Sequence, residues 1–470
     1  MIFDVARMTF LHIIRDGRFQ TTAALLLVLF IISFVGAFDH FNELKAHHEN
    51  ASRVMRLQWD HQADKNPHAA AHYGTYVFKP VYPLSFFDRG VDDYTGNTLF
   101  LEGHRANLPV NRSAADQNDF FRLGILTPAF ILGLALPLLI ILLGFGSVSS
   151  ERENGNLRLL LAQGLPRKSL FWGKSLGLWA VVTVLVVPFF LIGAAGLILA
   201  DTNGEQWLRY LLLMLFYFAY FGCFIHLTLL ISAVAGRQNA ALVGSISIWV
   251  VLCLLLPRLA VNVVKDQYPV PTRLAYNKAM IQDLQNGVDG HDGSDVFTQK
   301  LLEETLKQYG VASVDQLPFN WTGYVLQKGE EHETYVYQKH RDKLLEIYQQ
   351  QETLHQIAAF CSPYLLISNI SRKCSGTDVA SYFAFLKAAE QYRITLVGTL
   401  NNDLTQNFRY GDWGGKRGKE FFGQNPRFDY APPGIGSLPA ALLGSLGILL
   451  FWFAISGLAA WFSFEQLKPL

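Results

Sequence analysis

Charge is scarce in this chain and balanced in sign. Over 470 residues there are 39 Lys and Arg against 38 Asp and Glu, and charged residues make up only 16%, where soluble domains carry about 25%. A near-neutral chain offers no electrostatic hold on nucleic acid, so no nucleic-acid partner is expected. Motifs for chemistry are also missing. Gly173-Lys174-Ser175 looks like the end of a phosphate-binding loop, but the earlier glycine that loop needs would stand at position 168, which is Lys168. Neither His48-Glu49 nor His332-Glu333 is followed by a second histidine at zinc-protease spacing, and Gly434-Ile435-Gly436-Ser437 is not a nucleophile elbow. No internal repeat is present. An enzyme of the ordinary hydrolase classes is therefore not expected.

Apolar residues, by contrast, exceed half the chain, at 51%. They gather into six runs, at 21–39, 125–147, 175–200, 209–235, 240–257 and 437–463, each long enough to cross about 30 Å of hydrocarbon as a helix. The fold class that follows is a polytopic α-helical membrane protein with six transmembrane helices and a large, mostly helical extracytoplasmic domain. Basic residues set the sides. Arg7, Arg15 and Arg18 precede the first run, Arg237 follows the fourth, and Lys468 follows the sixth, whereas the connection Asp201–Leu208 carries Asp201 and Glu205 and no base. Both termini are thus expected to be cytoplasmic, in a bacterial inner membrane. Residues 1–20 place Phe3, Ala6, Phe10, Ile13 and Ile14 on one helical face, the pattern of an interfacial amphipathic helix. Pro137 and Pro188 are expected to kink their spans.

Between the second and third runs lies a polar segment, 148–174. Leu157, Leu160, Leu161 and Gly164 follow helical spacing, so a short amphipathic helix is expected there. The order Glu151-Arg152-Glu153-Asn154-Gly155-Asn156-Leu157, then Pro166-Arg167, then Gly173-Lys174, resembles the first cytoplasmic loop of type-2 ABC exporter permeases. The resemblance extends to the branch with large extracytoplasmic insertions after the first and fifth spans. It implies that Glu151, Arg152, Glu153, Gly155, Leu157, Leu160 and Leu161 couple the permease to an ATPase. It also implies two separate cytoplasmic ABC ATPase subunits that hold the ATP-Mg, no cofactor in this chain, and a second permease copy, identical or paralogous. Glu151, Glu153 and Leu157 are expected to be exposed, so that Glu151→Lys, Glu153→Lys or Leu157→Asp would release the ATPase without unfolding the permease.

The insertions, 40–124 and 258–436, are expected outside the membrane. Ser362-Pro363 and Thr377-Asp378 read as helix starts. From the second of these an apolar stripe runs through Tyr382, Phe385, Ala389, Tyr392, Leu396, Leu400 and Leu404. Leu326–Phe360 reads as a long charged helix, and Asp412–Pro433 as a loop. His68 and His72 sit at i, i+4, the spacing at which two imidazoles can share a metal. His47, His48, His61 and His104 lie in the same insertion, with no Cys or Met nearby. The alternative is that these histidines hydrogen-bond a turn-rich structure. Cys223 and Cys253 fall within spans. Cys361 and Cys374 fall outside, where a disulfide is permitted only if the chain folds back after Ile370. The function expected is a permease exporting a lipid-like or amphipathic substrate in contact with membrane lipid. The alternative is a mechanotransmitting subunit that drives a periplasmic protein, for example in metal-site maturation, with nothing crossing.

Overall fold

The computed structural model describes residues 1–112, 126–412 and 414–468. The beginning of the second apolar run, at Ile125, lies outside the described residues. Six helices are long and apolar enough to cross a membrane, and with the further helices they make this a polytopic helical membrane protein.

Helix α1 (Ile2–Arg15) ends at Asp16, whose side chain accepts from the Arg18 backbone and caps α2 (Gly17–Asp60). At 44 residues, α2 reaches about 66 Å at 1.5 Å per residue. Its apolar stretch ends near Phe38, and the same helix continues as a strut into the domain. A short α3 (Pro67–Tyr73) follows, then a three-stranded antiparallel sheet in the order β1 (Thr75–Phe78), β2 (Thr98–Glu102), β3 (Arg105–Ala106). This sheet is not visible in the helical periodicity of the sequence.

The remaining spans are α4 (Pro128–Glu153), α6 (Arg167–Leu199), α7 (Gly204–Val234), α8 (Gln238–Gln267) and, last in the chain, α15 (Leu438–Glu465). Between α4 and α6 stands α5 (Asn156–Ala162). Proline breaks two of the spans in the same way. A π turn, Ile131–Ala135, precedes Pro137, and another, Val251–Leu255, precedes Pro257. Proline has no N–H and crowds the carbonyl four residues back. The freed carbonyls must find donors inside an apolar bundle. Tyr220 donates to Gly133 O at 2.7 Å, Trp249 Nε1 to Leu134 O at 3.2 Å, and Ser362 Oγ to Leu252 O. The breaks are therefore tied to neighbouring elements.

Helix α1 lies along the start of α6, over two glycines one turn apart. A Cβ on Gly173 would stand 2.5 Å from Val5 Cβ, and one on Gly177 2.7 Å from Thr9 Cβ. Small residues at this spacing let two helices approach closely. We expect Gly177→Leu to push α1 off and to lower stability by about 1–3 kcal/mol. Gly36→Leu, where nothing lies within 4 Å, should leave the melting temperature in detergent unchanged.

The second insertion supplies α9 (Arg273–Leu284), α10 (Val296–Tyr309), α11 (Trp321–Ala358), α12 (Pro363–Ser375), α13 (Val379–Asn407) and α14 (Lys419–Gln424). The last of these is a short helix inside the stretch read as loop. Helices α11 and α13 pair antiparallel, with Gly323 against Thr405, Glu330 against Arg393 and Tyr348 against Phe383. On α13 the residues Phe385, Ala389, Leu396, Leu400 and Leu404 are buried. The strands pack on Phe385 and Ala389, while Ala70 and Ala71 of α3 pack on Leu396 and Leu400. Helix α12 behaves differently. Its Leu365, Leu366, Ile367 and Ile370 join the core of the spans, so α12 dips among the span ends and carries the domain on them.

The span ends sort into two sets. At one, Arg152 donates to the carbonyls of Ala233 and Ala235, and Arg167 Nε to Leu467 O at 2.9 Å. At the other, Arg209 Nη2 donates to Pro433 O at 2.8 Å, and Gly196 lets Phe34 and Phe86 close in. The first is the loop end, the second the domain end.

Candidate functional site

Two clusters of polar side chains stand out, one at each end of the bundle. At the loop end, Gly155 (φ 77°) and Gly164 (φ 85°) hold left-handed conformations on either side of α5, which a side chain would strain. They fix the angle of α5 against α4 and α6. Leu157 is 2% exposed and belongs to the span core, while Leu160 and Leu161 are half-buried beside it. Lys174 forms an ion pair with Glu151, Arg152 caps the C-terminus of α7, and Glu153 Oε2 accepts from Gln238 N at 2.9 Å at the start of α8. Glu151, Arg152 and Leu157 thus anchor the loop, which corrects the expectation of exposure for Glu151 and Leu157, while Glu153 is exposed as expected. The outward face is Asn154, Gly155, Asn156, Arg158 and Leu159, with Leu159 61% exposed. A cleft of about 390 Å³ opens beside it, lined by Met8 and His12 of α1, Glu151, Leu160 and Gln238.

At the domain end the structure collects four histidines. Asn66 accepts from the His68 backbone at 2.9 Å, and Pro67 starts α3, so His68 and His72 project one turn apart. His104 sits between β2 and β3 with φ 63°, an uncommon backbone for a side chain of this size. His291 lies in the loop after α9, and that loop is pressed onto α11. A Cβ on Gly329 would stand 2.7 Å from Gly290 N. One ring nitrogen from each of His68, His72, His104 and His291 falls within 4.8 Å of the others. His72 Nε2 is 3.1 Å and His104 Nε2 3.4 Å from His68 Nε2.

The outer nitrogens are held. His68 Nδ1 lies 3.1 Å from Asn401 Oδ1, whose amide nitrogen in turn donates to Gln327 at 3.3 Å. His104 Nδ1 lies 3.2 Å from Glu333 Oε2 and 3.3 Å from Glu330 Oε1. Glu330 is itself held by Arg393 at 2.9 Å. Burial pulls His68 down to about 3. It also lowers His72 and His291, where the neighbouring His104 adds to the effect. Burial alone would lower His104 as well, but the Glu333 hydrogen bond and the Glu330 charge outweigh it and raise it. His72 and His291 are exposed, so solvent reaches the cluster.

The i, i+4 spacing found His68 and His72, and His104 was visible only as one more histidine in the same insertion. His291 carried no local signal, because a lone histidine in a polar loop joins the others only through the packing of that loop on α11. His47, His48 and His61 are not in the cluster. His48 Nδ1 meets Lys79 O and His61 Nδ1 meets Leu57 O at the end of α2. Cys361 is exposed and Cys374 buried, both as free thiols. The disulfide expectation is corrected for a simple reason: α12 runs unbroken past Ile370 to Ser375 and holds the two residues apart.

Residues 94–262 match the family model described as ABC-2 family transporter protein, and residues 277–431 match a domain of unknown function, DUF3526. No curated protein matches the chain.

Proposed function

From the premise that the chain belongs to the ABC-2 permease family, we propose that it is the membrane subunit of an ATP-driven exporter of lipid-like or amphipathic molecules. As the membrane permease of an ABC transporter it partners with ABC ATPase subunits. In this reading the ATPase is a separate protein. It grips the exposed side of α5 and the cleft against α1, and its closure tilts α4 and α6.

The observation that carries the choice of substrate class is how the few polar groups of the spans are used. Ser232 Oγ accepts from Val148 N at 2.9 Å and Ser149 N at 3.1 Å, Ser33 Oγ donates to Leu126 O, and His226 Nδ1 faces Ser456 Oγ at 3.5 Å. Ser232 and Ser245 are fully buried. Within the apolar stretches described, Thr228 Oγ1 on α7 and Ser245 Oγ on α8 are buried without a partner, too few and too separate to line a hydrated path for a hydrophilic solute. Of the apolar stretches, only 28% of α2, 22% of α8 and 28% of α15 are covered within the chain, against 67% of α7. Those bare faces suit lipid and a second permease copy, with amphipathic cargo moving between the copies.

The test is reconstitution of the permease with its ATPase into vesicles containing fluorescent lipid and amphiphilic peptide. ATP-dependent movement of label across the bilayer is expected. ATPase stimulation by the permease with no movement of any amphiphile would sink the export reading. Sidedness is checked separately by cysteine labelling in cells: positions near Asp64, Glu205 and Lys343 should react from outside, and those near Arg158, Arg237 and Lys468 from the cytoplasm. Labelling of any one from the opposite face would break that orientation.

A further inference from the structure

We propose that His68, His72, His104 and His291 form a binding site for a nitrogen-preferring divalent ion of the Zn²⁺ class, which ties the first insertion of the domain to the second. The proposal does not depend on what the permease carries.

Three observations converge on it. The first is spacing. Four nitrogens about 2.0–2.1 Å from one zinc ion stand roughly 3.3–3.4 Å apart at the corners of a tetrahedron. The Nε2 atoms of His72 and His104 are 3.1 and 3.4 Å from that of His68, and all four ligand nitrogens fit within 4.8 Å. The ring planes stand at 36–84° to one another and none are stacked.

The second is where the protons must be. Asn401 Oδ1 can only accept, so the His68 proton sits on Nδ1, and the carboxylates of Glu330 and Glu333 can only accept, so His104 also carries a proton on Nδ1. In the neutral tautomers both Nε2 atoms then present lone pairs to each other across 3.4 Å. A metal ion placed between them would accept both lone pairs. A carboxylate behind one ligating imidazole and an amide oxygen behind another are the outer contacts that orient histidine toward zinc. Imidazole nitrogen suits Zn²⁺ and not the oxygen-seeking Ca²⁺ or Mg²⁺.

The third is that the fold accepts strain and close packing at this place. His104 holds a left-handed backbone, which costs of order 1–3 kcal/mol and clusters at functional sites. The loop bearing His291 reaches the cluster only because Gly290 and Gly329 let two backbones touch. Each places an imidazole, although the His291 loop also packs Val288 on the cluster of Leu317, Trp321 and Val325. His291, Glu330 and Glu333 come from the second insertion and the other three histidines from the first, so an ion held here links segments that are remote in sequence.

The experiment uses the full-length permease in detergent, purified without a polyhistidine tag and stripped with chelator. Calorimetric titration with Zn²⁺ is expected to show one tight equivalent per chain, and Ca²⁺ none. Co²⁺ in its place should give the intense visible absorption of a tetrahedral site. His291→Ala, in an exposed loop, should remove the tight equivalent, and His68→Ala should do the same. Glu333→Gln should weaken binding about 10–100-fold, as for other second-layer partners. Gly329→Ala keeps all four histidines but displaces the loop that carries His291, and should also weaken binding. If the wild-type chain takes up no tight Zn²⁺, the cluster is a hydrogen-bonded histidine group and the proposal is overturned. Equal Zn²⁺ affinity in wild type and His291→Ala overturns it as well.

Discussion

Arg393→Leu is expected to loosen the whole domain end, at a cost of about 3–5 kcal/mol. The guanidinium is 1% exposed and holds three elements together, α13, α11 and β2. Nη1 donates to Glu330 Oε2 at 2.9 Å and Glu102 O at 3.3 Å, and Nη2 to Glu390 Oε1 at 3.0 Å and Thr334 Oγ1 at 2.9 Å. Removing the cation leaves Glu330 and Glu390 buried without a counter-charge, and that penalty dominates. The fork geometry also makes lysine a poor substitute. Arg393→Lys should therefore fall closer to Arg393→Leu than to wild type in thermal unfolding of the detergent-solubilised protein. The triple change Arg393→Leu, Glu330→Leu, Glu390→Leu should recover part of the loss, because no charge is then stranded. Recovery absent, with Arg393→Leu as stable as wild type, would show that the network is not what joins α11 to α13.

The second large effect belongs to α5. Leu159→Asp should abolish most ATPase coupling while leaving the permease folded, because the Leu159 side chain is 61% exposed. An apolar anchor at the centre of an interface is worth about 2 kcal/mol or more, roughly thirty-fold in affinity. Leu157→Asp should instead damage the permease itself. Leu157 is 2% exposed in the span core, where an unpaired carboxylate costs several kcal/mol. Co-purification of the ATPase, read beside the melting temperature of the permease, separates the two. If Leu159→Asp retains the ATPase at wild-type affinity, α5 is not the coupling surface.

The contrast between Leu157 and Leu159 shows what the sequence could and could not say here. Periodicity correctly grouped Leu157, Leu160 and Leu161 on one face of a short helix. It could not say whether that face met the bundle or a partner, since both are apolar environments. Only the turn geometry at Gly155 and Gly164 decided it. Likewise Ser362-Pro363 announced a helix, and Ser362 does cap it, accepting from Leu365 N at 3.3 Å. That α12 packs among the span ends, against the broken turn of α8, depends on contacts no local pattern encodes.

The sequence by itself determined the spans, because about twenty consecutive apolar residues have one stable state in a bilayer. It also determined the loop helix and the helix starts, whose signals are carried within a few residues. Tertiary structure alone decided the continuation of α2 as a strut, the small sheet and the buried Arg393 network. It also decided the meeting of His68, His72 and His104 with His291. Each of these depends on segments far apart in the chain, where the free energy resides in the packing of one surface on another and leaves no periodic trace in either.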